Sequence, residues 1–127
     1  MENRQNIASG TSWEAIVGYS RGVRIGSYIE ISGTTAVDGA TFVGEGDVYL
    51  QTKFILQKIE KAVIQLGASL QNVIRTRMYV TDISQWEAIA KAHSEVFDKI
   101  RPATSMVQVS KLIDDRMLIE IEATAIL

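Results

Sequence analysis

Cysteine is absent from this 127-residue chain, and with it go disulfides, thiolate nucleophiles and every zinc site built on sulfur. Histidine occurs once, at His93. A metal centre would therefore rest on carboxylates alone, and no Asp or Glu cluster has ligand spacing. No apolar run exceeds three residues, whereas a membrane helix needs about twenty. The polar opening Met1 to Trp13 lacks the apolar stretch of a signal peptide, so a cytoplasmic protein with no membrane partner is expected. An excess of one charge is missing too. Thirteen Lys plus Arg against fifteen Asp plus Glu leave a net charge of -2, which gives no electrostatic drive toward nucleic acid.

What is present describes one domain over residues 1–127, since a chain of this length buries about 65–70% of its unfolded surface and needs no staples. No internal repeat or low-complexity tract divides it. Residues 1–12, with Gln5, Asn6, Ser9, Gly10 and Ser12 among them, read as a loosely held arm. Tyr19 to Ala36 is rich in β-branched and aromatic residues and is broken by Gly26-Ser27, which gives strand, turn, strand. A turn-rich stretch follows from Val37 to Gly46, with a short extended piece at Thr41 to Val43. Val48, Thr52, Ile55, Leu56, Ile59, Ala62, Val63 and Leu66 then recur at spacings of three and four, with Asp47 as N-cap and Gly67 as stop, and predict a helix.

Val73 to Thr81 alternates, with Ile74, Thr76, Met78 and Val80 on one side and Arg75, Arg77, Tyr79 and Thr81 on the other. Ser84-Gln85-Trp86-Glu87 matches a capping box before a second apolar stripe of Trp86, Ile89, Ala90, His93, Val96, Phe97 and Ile100. That helix stops before Pro102, the only proline, which pushes Arg101 out of helical geometry. Thr104 to Val109 and Met117 to Ile126 are the last strands, with a turn around Asp114-Asp115. The order β-β-α-β-α-β-β predicts a two-layer α+β fold, with two helices on one face of a mixed sheet. On the last strand Leu118, Glu120, Glu122, Thr124 and Ile126 share the other face. With Tyr79 and Met106 assigned there too, this face is too apolar for water alone and predicts a subunit interface.

Few residues carry candidate chemistry. His93 reads either as a hydrogen-bonded core residue or as a catalytic base. Gly44-Glu45-Gly46-Asp47 precedes a helix, but Tyr49 breaks the dinucleotide fingerprint and the acidic residues repel phosphate, so no nucleotide cofactor is expected. Glu120 or Glu122, desolvated on a partly apolar face, would have a raised pKa and serve as proton carrier or water activator; two salt-bridged strand residues are the alternative. Arg75 and Arg77 present guanidinium forks suited to a carboxylate ligand, or to pairing with those glutamates.

Several stretches align with one family: Gly18-Tyr19-Ser20 with Val23 and Gly26, Ile31-Ser32-Gly33-Thr34, Gln51-Thr52, Val80-Thr81-Asp82, Arg101-Pro102-Ala103-Thr104-Ser105 and Ile119-Glu120-Ile121-Glu122-Ala123. From about Trp13 to Leu127 the chain resembles the RidA/YjgF family, also called the L-PSP endoribonuclease family. The resemblance implies a chorismate-mutase-like fold and a homotrimer with three small-molecule pockets between subunits. It also implies hydrolysis of reactive enamines and imines, such as 2-aminoacrylate, to a 2-keto acid and ammonia. Tyr19, Ser32, Gly33 and Glu120 stand where that pocket has its tyrosine, serine, glycine and water-activating glutamate.

The family's Pro-Ala-Arg-Ser motif, whose arginine clamps the substrate carboxylate, is here Pro102-Ala103-Thr104-Ser105. Met106 replaces a cysteine often found after that arginine, and Ala90 an asparagine on the second helix. Each charge-assisted hydrogen bond lost with the clamp is worth roughly 1.5–3 kcal/mol. Two functions follow: a Rid-like hydrolase acting on C–N bonds of a different or neutral imine, and a trimeric protein that binds a small metabolite without turnover. Ribonuclease activity, as in the family's older name, gains no support from the charge balance or the lone histidine. Arg77 is the candidate for a relocated clamp, with a structural ion pair to Glu120 or Glu122 as its competitor.

Overall fold

A computed structural model describes residues 3–127. In chain order it runs β1 (Arg4–Ile7), α1 (Ser12–Val17), β2 (Gly22–Ile25), β3 (Tyr28–Thr34), β4 (Val37–Asp38), β5 (Thr41–Phe42), α2 (Val48–Gln65), β6 (Val73–Val80), α3 (Trp86–Phe97), β7 (Ala103–Gln108) and β8 (Ile119–Ile126). The main sheet has the order β1-β2-β3-β8-β6-β7. Its pairs are antiparallel except β6 with β7, which the α3 crossover makes parallel. This is the expected α+β architecture, with α2 and α3 over one sheet face and the short α1 added beside β1.

The helical spacing of α2 does what its sequence predicts. Val48, Thr52, Ile55, Leu56, Ile59, Ala62, Val63 and Leu66 are all buried, Asp47 caps the helix by accepting from the Leu50 N–H at 3.0 Å, and Gly67 leaves it at φ 90°. Gln51 is buried among them, where its amide donates to the Gly44 and Arg116 carbonyls and accepts from the Leu118 N–H. This one side chain fastens α2 to the entry of β8. On β8, Ile119, Ile121, Ala123 and Ala125 are fully buried against the helices. Burying each of the two isoleucines contributes about 1.5–3 kcal/mol, so this strand is the spine of the core.

Five local readings are corrected. Arg4–Ile7, read as part of a loose arm, is an edge strand paired with β2, because backbone pairing asks nothing of side-chain polarity. Ile74 is exposed, since the β6–β8 register shifts between Val73 and Arg75 and a bulge turns it outward. The Ser84 hydroxyl does not cap α3; it donates to Asp82 in a 3-10 turn over Ile83–Gln85. Trp86 is consequently exposed at the helix start. Met106 does not share the face of Tyr79: parallel pairing sets it beside Met78, and it packs on the helix-covered core. Arg101 leaves helical geometry before Pro102 as expected, at φ 54°.

Candidate functional site

The open face of the sheet, away from α2 and α3, gathers side chains from β3, β8 and β6. Between Ile31 and Thr34 the β3–β8 register shifts, and Ser32-Gly33 sits in that irregularity. A Cβ at Gly33 would fall on Oε2 of Glu120 and lie 2.8 Å from its Cδ. Glycine is needed here for close approach of the carboxylate, not for an unusual backbone angle. The surrounding loop is tied down on every side. The Ser32 hydroxyl donates to the Ser20 carbonyl at 2.6 Å, the Ser32 N–H to the Arg21 carbonyl at 3.0 Å, and the Thr34 hydroxyl to the Ser32 carbonyl at 2.8 Å. Arg21 closes the ring, with Nη2 donating to the Gly33 carbonyl at 2.6 Å and its guanidinium 6.0 Å from the centroid of the half-buried Tyr19 ring. Tyr19, Ser32, Gly33 and Glu120 are thus brought together around Arg21.

Glu120 and Glu122 share this face but not their surroundings. Tyr79 Oη donates to Glu122 Oε1 at 2.9 Å, which anchors that carboxylate. Glu120 accepts no hydrogen bond and forms no ion pair among the described residues. Burial, and then the neighbouring Glu122, push its carboxyl above the ordinary value, while Arg21 pulls it back in part. A desolvated carboxylate with free lone pairs beside a backbone that leaves space is equipped to move a proton.

Arg77 shares the open face with Glu120 and Glu122, and Thr104 lies on the other face. Arg77 stands opposite Glu122 in register, yet it makes no ion pair with Glu120 or Glu122; its Nη1 reaches Thr124 Oγ1 at 3.5 Å. The salt bridges among the described residues are Lys53–Glu95, Arg101–Asp98 and Arg116–Asp114. Tyr79 holds Oε1 of Glu122, and Thr124, which Arg77 reaches, donates to Glu30 at 2.7 Å. Arg75 donates to Ser105 Oγ at 2.7 Å instead of pairing with a glutamate.

Thr104 projects with Met106 toward the helix layer. Its hydroxyl donates to the Thr76 carbonyl at 3.1 Å and also meets Thr76 Oγ1, which in turn lies 3.0 Å from His93 Nε2. His93, 4.8 Å from the Phe97 ring, is half-buried, and burial lowers its pKa. Within one chain, neither Thr104 nor His93 is on the face of Glu120. Among the described residues no group of three or more potential ligands could hold a metal, and no helix is long and apolar enough to cross a membrane.

Residues 9–127 match the family model described as endoribonuclease L-PSP. The chain belongs to the endoribonuclease L-PSP, or RidA/YjgF, family. Among solved structures it is similar to Rv2704 of Mycobacterium tuberculosis, a member of the YjgF/YER057c/UK114 family, with a TM-score of 0.90 and 46% identity over 98% of this chain and 100% of that one. Among curated proteins it is 36% identical to uncharacterized protein SCO2049 of Streptomyces coelicolor, over 95% of this chain and 90% of that protein. It is 32% identical to the Escherichia coli protein named "Putative reactive intermediate deaminase TdcF", over 88% of each.

Inside this RidA/YjgF fold, sequence patterning passed over two side chains, Arg21 at the site and Lys58 behind it. Arg21 is only 8% exposed, and Lys58 on α2 donates to the Thr35 and Val37 carbonyls at 2.9 and 2.8 Å. A signal existed for the second: Lys58 falls three residues after Ile55 and four before Ala62, on the flank of the apolar stripe. Arg21 had none beyond its place directly after Tyr19-Ser20.

Proposed function

We propose that this RidA/YjgF protein hydrolyses a reactive imine to a carbonyl compound and ammonia, with Glu120 as the group that moves the proton. The observation that carries the reading is the Glu120 carboxylate itself: half-buried, raised in pKa, without a hydrogen-bond partner among the described residues, and set against the space that Gly33 leaves. Water gives a proton to Glu120 as its oxygen adds to the imine carbon, the C=N electron pair moves to nitrogen, and Glu120 passes that proton on to the nitrogen and is ionised again. The resulting carbinolamine collapses as Glu120 takes the hydroxyl proton and delivers it to the nitrogen, the C–N bond breaks, ammonia leaves and the carbonyl forms. Tyr19 and Ser32 border the substrate. The name of TdcF supports the chemical class.

The substrate differs from 2-aminoacrylate, or binds it weakly, because the position of the family's arginine is Thr104, whose hydroxyl is spent on Thr76. The face also carries Glu30, Glu120 and Glu122, which oppose a polyanion, so ribonuclease activity is not part of the proposal. The working unit is a homotrimer in which copies of the chain cover the open sheet face and complete each pocket. Tyr28, Tyr79 and Ile126 on that face support this. Light scattering should return three times the 14.0 kDa chain mass.

The commitment of Thr104 also favours one alternative, capture of a metabolite without turnover. A single assay separates the two. Ammonia release from several freshly generated imines should be accelerated by the protein and fall about 10²–10⁴-fold in Glu120→Gln. No acceleration on any imine, with ligand binding retained, would leave the binding protein.

A further inference from the structure

On the helix side of the sheet, behind Arg21, a cavity of about 630 Å³ opens between α2, the segment joining β1 to α1, and β4. That volume is in the range of small-molecule sites. Among the described residues two buried side-chain polar atoms lack a hydrogen-bond partner, Arg21 Nε and Thr11 Oγ1, and both residues line this cavity. Buried donors are almost always paired in folded proteins, so an orphan of this kind marks a place where a partner belongs.

Lys58 lines the same space. Its two carbonyl bonds leave one N–H uncommitted, and no carboxylate lies within salt-bridge distance among the described residues. Burial first, and then the facing Arg21, pull its ammonium down to about 8, with Asp38 and Glu14 offsetting this only at longer range. The Glu14 carboxylate is already engaged by the Ser9 N–H and hydroxyl. Two desolvated cations therefore face one cavity without a contacting anion, an arrangement that an incoming negative charge relieves.

We infer that this cavity is a second binding site, separate from Glu120, for a small monocarboxylate with an apolar body, its head group held by Lys58 and Arg21. Phe54 and Ile64 supply the apolar surface. A single negative charge fits better than a phosphate dianion, because Asp38 and Glu60 also line the cavity and repel a second charge. The site is independent of the proposed hydrolysis. Glu120 is on the opposite sheet face, although Arg21 touches both regions through its bond to Gly33.

The test is an NMR titration of the full chain with hexanoate, and separately with inorganic phosphate. Hexanoate should shift the backbone signals of residues 8–11, 37–39 and 57–65 saturably, and phosphate at the same concentration should not. Lys58→Met should weaken hexanoate tenfold or more, the loss of one charge-assisted contact. Because Lys58→Met also removes two bonds to the β3–β4 connection, Ile64→Glu at an exposed rim position is the second variant, and its added charge should weaken hexanoate severalfold without touching the core. Unmoved signals, equal response to phosphate, shifts confined to Gly33 and Glu120, or unchanged affinity in Ile64→Glu would each overturn the inference.

Discussion

The two faces of β8 differ by one residue in sequence and belong to different chemistries. On one side Ile119, Ile121, Ala123 and Ala125 are fully buried under this chain's own helices, and their contribution is stability. On the other, Glu122 and Thr124 meet Tyr79, Glu30 and Arg77 in a polar mesh from which Glu120 stands apart, and Ile126 is 39% exposed. The inner face is complete within one chain. The outer face holds carboxylates at different degrees of satisfaction, Glu122 anchored by Tyr79 and Glu120 without a hydrogen-bond partner among the described residues. Strand alternation makes this division possible, because a side chain cannot drift from one face to the other without a register slip.

The largest expected effect sharpens that division. Ile121→Ala should cost about 2–5 kcal/mol in urea unfolding, since a fully buried isoleucine leaves a cavity that helices on both flanks cannot fill. Ile126→Ser on the outer face should cost more than the roughly 0.5 kcal/mol of an ordinary surface change and should loosen the assembly on dilution, if copies of the chain cover it as proposed. A smaller cost, with the assembly intact, would leave that face to water.

Gly33→Ala comes next and separates stability from reactivity at one atom. The added Cβ meets the end of the Glu120 side chain and not backbone, so the fold should lose about 1 kcal/mol or less. The carboxylate must swing away, and a displacement near 1 Å is worth up to about a hundredfold in rate. Imine hydrolysis should fall at least tenfold while the urea midpoint barely moves. Equal activity in Gly33→Ala would detach Glu120 from the chemistry.

The inner face was legible in the sequence because its signals are periodic: α2 keeps its stripe from Val48 to Leu66, and β8 keeps its alternation. What was not legible depended on pairing. Alternation within β7 alone does not say which face Met106 takes; the parallel register with Met78 decides it, and sets Thr104 beside Thr76 on that same side. The bulge that exposes Ile74 is likewise a property of two strands. Ser84 satisfies the spacing of a capping box, yet Asp82 lies nearer and takes its hydroxyl. At the candidate site, family resemblance points to Tyr19, Ser32, Gly33 and Glu120, which the fold sets near one another, whereas Arg21 becomes visible only when burial and the Gly33 carbonyl give its charge a setting. The ion pair open to Arg77 is absent for a related reason: a cross-strand neighbour is an opportunity, and Tyr79 takes it.

The smallest effect concerns the pH dependence of stability and compares the two glutamates directly. Glu120 in the folded chain holds its proton more tightly than in the unfolded one, because burial and Glu122 raise its pKa. Between the unfolded and folded values the native state binds more protons, so stability falls as pH rises through that window. Below the unfolded value the penalty is absent, and above the folded value it is complete. Glu120→Gln carries no charge at any pH and removes it. At fixed protein concentration the variant should therefore unfold at higher urea than the parent at pH 7, with the gap closing toward pH 3. Glu122→Gln should behave oppositely at pH 7, since it weakens the acceptor of the Tyr79 hydroxyl by something near 0.5–1.5 kcal/mol. If the two variants moved in the same direction at pH 7, the contrast between a free and an anchored carboxylate on β8 would be lost, and Glu120 with it as the reactive member of the pair.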